Sequence, residues 1–241
     1  MSVIYEGHYT GLGTSHAIPV AASGNPTAGH RITLIVGANI DFSTITWPSG
    51  FSEIGRNNPG TTDPIFLAEK TAVGDEGTTV TVETGASIRV AAQSYVMDEQ
   101  DTDTAVEVAF AHEIVTADDQ PDPPSISHSW GSEAGTTIIA AANQSVGSNI
   151  SFTAYPASYT DGSEDSVAAG GGGTSIGTAR RVIEATSEDP GVFTMDGADF
   201  WNTATIALRG AAVGGGDPEG PLVGDGKLVG GGLLLSGRLV A

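Results

Sequence analysis

Cysteine is missing altogether, which excludes both disulfide staples and thiolate metal centres. Positive charge is scarce too: nine Lys and Arg stand against 29 Asp and Glu, a formal net charge of −20. So few cations cannot neutralise a run of phosphates, so nucleic acid is excluded as a partner, and an anionic membrane surface with it. No stretch reaches the roughly 18 apolar residues of a membrane-crossing helix, so membrane insertion is not expected. The opening MSVIYEGHYTGLG lacks the basic patch and apolar run of a secretory signal. The expectation is a protein made in the cytoplasm and used without export.

Glycine and small or β-branched residues dominate what is present. With 34 glycines, 39% hydrophobic residues and only 16% charged ones, the profile is one of strands joined by tight turns. RITLIVGA (31–38) is a continuous apolar run suited to a strand buried on both faces. TTVTVET (78–84) alternates strictly, and SIRVAAQSYV (87–96) follows a Gly-Ala pair, which predicts a hairpin. AVEVAF (105–110), TTIIAAA (136–142), NISFTAY (149–155), GVFTM (191–195) and WNTATIALRG (201–210) continue the series, as does TARRVIEAT (178–186), a short helix by propensity whose Thr-rich flanks and β-branched centre favour a strand. DDQPDPP (118–124) interrupts it with three prolines, and reads as a long crossover between the halves of one sandwich. About ten strands at this spacing predict an all-β fold: an antiparallel β-sandwich, jelly-roll-like, over residues 1–210.

AAVGGGDPEGP (211–221) has the composition of a solvated linker. The remainder, 222–241, aligns in sixes as LVGDGK, LVGGGL and LLSGRL, with Leu222, Leu228, Leu234 and Val240 at one spacing. Six is an even number, so each column keeps its face in an extended chain. A tail of this length cannot supply a core of its own. Leu222, Val223, Leu228, Val229, Leu233, Leu234, Leu235, Leu239 and Val240 are therefore expected to be buried between chains. The partner is a homo-oligomer, a trimer for preference, or a socket on a larger assembly.

Catalytic and cofactor signatures are absent, and a non-enzymatic protein without cofactor is expected. His8, His16, His30, His112 and His128 fall in no metal-binding spacing and read as surface or edge-strand histidines. Ser15-His16 and Ser127-His128 lack a nucleophile elbow. Two acidic knots, Asp98 to Asp103 and Asp161 to Asp165, have the oxygen-rich character of calcium loops. Neither has the EF-hand spacing, so solvated turns are expected. The run from Gly170 to Gly173 has no following Lys-Ser/Thr and is not a phosphate loop. Trp47, Trp130, Tyr155 and Tyr159 are the aromatics placed to stack on a sugar ring. They define the alternative reading, a carbohydrate-binding or receptor-binding adhesin.

The order RITLIVGA, WPSGFSEIG, IFLAEKTAVGDEGTTVTVE, then a strand ending SYVMD, resembles β-sandwich structural proteins of tailed viruses. PPSISHSW and WNTATIALRG correspond to later strands of the same pattern. The resemblance covers about residues 29–210, and the apolar Gly-Leu tail resembles attachment segments of virion proteins. It implies a virion component, such as a fibre, spike or head-decoration subunit of a bacteriophage. Other virion proteins would be its partners, and a host surface glycan a further one.

Overall fold

The computed structural model describes residues 2–40, 44–58, 63–144, 150–167 and 172–211. Among these there is no helix, and every paired strand is antiparallel. The first half of the chain supplies β1 (Val3–Pro19), β2 (Arg31–Ala38), β3 (Ile45–Thr46), β4 (Ser52–Asn57), β5 (Ile65–Thr71) and β6 (Thr79–Met97). These form one sheet in the order β1-β6-β2-β5-β4, with β3 attached to β6. The second half supplies β7 (Glu107–Asp118), β8 (Ile126–Ser127), β9 (Thr136–Gln144), β10 (Phe152–Ala154), β11 (Thr160–Val167), β12 (Thr174–Ile183), β13 (Ser187–Glu188), β14 (Thr194–Met195) and β15 (Asp199–Leu208). Its main sheet runs β7-β15-β9-β12-β11, while β10 pairs with β14 and β8 with β13.

The predicted antiparallel sandwich is present, with ten long strands in two sheets. Its path is simpler than that of a jelly roll, in which strands alternate between sheets. Here each sheet is drawn from one half of the chain. The chain changes sheet at 98–106, ahead of the proline-rich segment. Asp118 to Pro124 is therefore not the crossover between halves; it leads from β7 to β8 within the second half.

The two halves follow one plan. Labelled in chain order, the five long strands of each sheet lie in the same spatial sequence: first, fifth, second, fourth, third. The registers agree residue by residue. Arg31 on β2 is flanked by Thr71 and Met97, as Thr137 on β9 is flanked by Val182 and Leu208. Gly37 lies between Ile65 and Ala91, and Asn143 between Ile176 and Asn202. An irregularity interrupts β4/β5 between Glu53 and Gly55, and another interrupts β11/β12 between Thr160 and Ser163. Even the turns match. Phe51 N–H donates to Pro48 C=O at 3.0 Å in WPSGF, and Tyr159 N–H donates to Pro156 C=O at 3.1 Å in YPASY. Gly50 (φ 80°) and Ser158 (φ 68°) occupy the same left-handed position in these turns.

Alternation along the strands explains three layers of apolar packing. Ile35, Ile65, Leu67, Tyr95 and Met97 from the first sheet meet Ile139, Ala141, Ile176, Ala204, Ile206 and Leu208 from the second. The outward residues of β2, Ile32, Leu34 and Val36, are equally buried, because β1 and β6 double back over them. Their far ends, Ser15–Pro19 paired with Thr79–Glu83, bring Ile18, Val80 and Val82 onto the outer face. The Pro19 carbonyl there accepts a hydrogen bond from the Ser94 hydroxyl at 2.5 Å. Thr78 to Val96 is thus no hairpin. It is one bent strand, β6, paired along both its arms with β1, and Gly85-Ala86 lies at the bend. The outer face of the second sheet is covered likewise by Phe152, Phe193 and Met195, and by Ile126 with Trp130 and Tyr159.

The linker beyond Ala211 and the whole hexad tail, Leu222 to Val240 included, lie outside the described residues, as do Gly170, Gly171 and Asn149.

Candidate functional site

A repeated plan shows where the chain departs from it. At one rim of the sandwich β4 faces β7, and the residues there are apolar: Gly55 opposite Leu67, Val108 opposite Ile206, Phe110 opposite Ala204. A side chain at Gly55 would collide with Phe110 and Val108 at 2.8–3.0 Å. The equivalent rim, where β1 meets β11, holds polar groups at the same positions: Ser163 opposite Thr178, Glu6 opposite Tyr95, His8 opposite Gln93.

These groups form one network. Thr178 donates to the Gln93 side-chain carbonyl, and the Tyr95 hydroxyl lies 2.5 Å from the Thr178 hydroxyl. Ser163 donates to Glu6 at 2.7 Å, and Tyr95 lies 3.4 Å from the same carboxylate oxygen. His8, half exposed, places Nδ1 at 2.7 Å from Asp165 and Nε2 at 3.8 Å from Glu6. Tyr95 is fully buried. Burial, with the Glu6 charge adding to it, pushes its phenol far above the usual value, so it stays a neutral donor. The Ser163 hydroxyl is bonded to a carboxylate and not to the imidazole. The network therefore lacks the hydroxyl-to-base hydrogen bond of a nucleophilic triad. What it does is tie the N-terminal strand to β11 across the two sheets.

Trp47 and Phe51 pack against the outer core of the first sheet, and Tyr155, Tyr159 and Trp130 against that of the second. The four proposed glycan-contact rings thus divide between opposite faces of the sandwich. Each has polar or aromatic partners of its own. Trp47 Nε1–H donates to Glu53 at 2.9 Å, Trp130 Nε1–H donates to Thr136 at 3.1 Å, and Tyr155 stands edge-on to Phe193. Of the histidines, His16 and His128 are buried and not on the surface. His16 sits between the Tyr9 and Thr84 hydroxyls, 3.2 Å from each, and burial lowers its pKa. His128 stacks on Trp130 with Nε2 2.6 Å from the Ala185 carbonyl.

Both acidic knots are committed to protein partners. The first is the connector between the sheets. Asp101 accepts from the Thr104 hydroxyl and from the N–H groups of Asp103 and Thr104, which lowers its pKa, and pairs with Arg209 at 3.0 Å. In the second, Asp161 pairs with Arg180 at 2.6 Å, Glu164 accepts from Ser175 and the Phe152 N–H, and Asp165 holds His8. Among the described residues no three His, Asp or Glu side chains converge as a metal site.

No protein-family model, no curated protein and no solved structure is matched by the chain.

Proposed function

We propose that the chain is a non-enzymatic structural subunit of a larger particle. The sequence resemblance makes that particle the virion of a tailed virus, with the subunit a fibre, spike or head-decoration component. The sandwich is displayed, and the apolar segment from Leu222 to Val240 joins copies to one another, as a trimer, or docks into another virion protein.

One observation carries this reading. Among the described residues, the apolar clusters on both faces of both sheets are built from residues up to Leu208. The sequence nevertheless continues through a glycine linker into a leucine-rich repeat. Those leucines and valines are worth about 1.5–3 kcal/mol each once buried, which is enough in sum to hold copies together. The acidic balance keeps the displayed domain soluble at high local density.

Light scattering on the full chain and on a form ending at Ala211 tests the proposal. The truncation keeps Ala211 because its N–H donates to the Glu99 carbonyl at 2.7 Å. A trimeric full chain and a folded monomeric truncation are expected. Equal masses for the two would overturn self-assembly through the tail.

A further inference from the structure

The repeated plan also sets a filled site beside an open one. In the second half Tyr159 ends the YPASY turn, and its hydroxyl lies 3.3 Å from Glu188, which in turn accepts from Arg181 at 2.8 Å. In the first half Phe51 and Lys70 hold the positions of Tyr159 and Arg181, and the carboxylate beside Lys70 is that of Glu76. Lys70 lies opposite Ile32 on β2, as Arg181 lies opposite Ile138 on β9. Its ammonium is 2.9 Å from Glu76 and 6.0 Å from the centre of the Phe51 ring. The aromatic, cation and carboxylate are all retained; the hydroxyl is gone. The turn into the second strand of each half differs too. Trp130 packs in the same cluster as Tyr159. It lies three residues ahead of Glu133, whose carbonyl closes the turn into β9. Three residues ahead of Thr27, which closes the matching turn into β2, stands Gly24.

Above these groups lies a cleft of about 540 Å³ between the 48–51 turn and the β5–β6 turn, lined by Ser49, Phe51, Lys70, Asp75, Glu76 and Thr79 among others. That volume is within the range of small-molecule sites. Its floor is fixed. The buried Glu76 carboxylate is held by Lys70 and by the N–H groups of Val73, Gly74 and Asp75. Lys70 lies across Gly50, where any side chain would meet its Cε at 3.1 Å. Only one of the three ammonium N–H bonds is used on Glu76, so donors remain for the cleft.

We propose that this cleft binds a neutral saccharide, one of whose hydroxyls takes the place filled by the Tyr159 phenol in the other half. The Phe51 ring offers an apolar surface to a sugar face. Lys70 donates to ring or hydroxyl oxygens, and Asp75, Ser49 and Thr79 complete a polar rim. Two carboxylates against one ammonium disfavour an acidic sugar. The site is distinct from the four rings singled out by the sequence, and it stands whether or not the tail assembles.

Saturation-transfer NMR and titration calorimetry with maltotriose, cellotriose and chitotriose test it on the full chain. At least one is expected to bind with a dissociation constant on the order of 0.1–1 mM. Phe51→Tyr restores the hydroxyl and is expected to weaken that binding tenfold or more while the fold is kept. Ser49→Trp, at an exposed position on the mouth of the cleft, blocks the site from outside and is expected to abolish binding even if Phe51→Tyr fails to fold. Tyr159→Phe in the second half should leave binding unchanged. The proposal is overturned if none of the three sugars binds at about 10 mM, if the blocked variant binds as the parent does, or if a uronic-acid trisaccharide binds as tightly.

Discussion

Glu76 shows how one side chain is set by its surroundings. Burial alone would raise its carboxyl pKa, but the Val73 and Gly74 N–H groups and the Lys70 ammonium outweigh that and hold it at about 2. An unfolded glutamate titrates near 4.3. A carboxyl depressed on folding contributes stability above its unfolded value and loses it as pH falls through the folded one. For this side chain, only 1% exposed, the contribution is on the order of 3 kcal/mol. Glu76→Gln should therefore be clearly less stable than the parent at pH 7. The gap in urea midpoint should close as pH drops from about 5 to about 2. A gap independent of pH would mean that the charge contributes nothing. The sequence held no sign of this role, since TAVGDEGTT reads simply as a polar turn. The pairing of Glu76 with Lys70 appears only once the turn is folded.

Among the strands, those with clear alternation or continuous apolar runs are legible: β2, β9 and β15 lie where their patterns predict, whereas β12 begins four residues before the expected segment and ends three before its close. The exceptions at β1 and β6 share a cause. β1 carries eight small or polar residues in GHYTGLGTSH because its two arms serve different surfaces, so no single alternation runs through it. The pattern of β6 predicts two strands for the same reason. Gly-Ala, which ordinarily marks a reversal, here lets both strands bend together. Gly7 is the contact on which that bend depends. A Cβ there would meet the Pro19 carbonyl group and come within 2.5 Å of the Ser94 hydroxyl, whereas a Cβ at Gly13 finds nothing nearer than 3.8 Å. Gly7→Ala is accordingly expected to cost about 1–3 kcal/mol by overpacking, and Gly13→Ala far less, as read from urea denaturation. Equal losses would show that the folded-back arm does not press on Gly7.

Across the whole molecule, class and layer number could be read from the sequence, but the repetition could not. Matching positions such as Glu6 and Val108, or Gln93 and Ala204, have diverged in chemistry while keeping register, so only the pairing of strands shows their equivalence. The polar rim was invisible for the same reason: its members are distant in sequence and each is ordinary alone. Because, among the described residues, the inner face of each sheet is covered by the other, neither half is expected to be self-sufficient. Chains ending at Asp98 and starting at Val106 are expected to be insoluble separately and to co-purify one to one when expressed together. Soluble, folded single halves by circular dichroism would contradict that interdependence.

The connector at 98–106 gains significance from this. Its Asp101 and Thr104 carbonyls accept from Arg31 of the first half, at 2.6 and 2.9 Å, and its Asp101 carboxylate pairs with Arg209 of the second. Two halves that fit each other in one register will fit the halves of a neighbouring copy equally well, so crowding many copies together invites exchange of halves between chains. A connector pinned by one arginine from each side holds the chain closed on itself. Whether a crowded array consists of separate molecules or of interlinked ones thus rests on a nine-residue bridge that belongs to neither sheet.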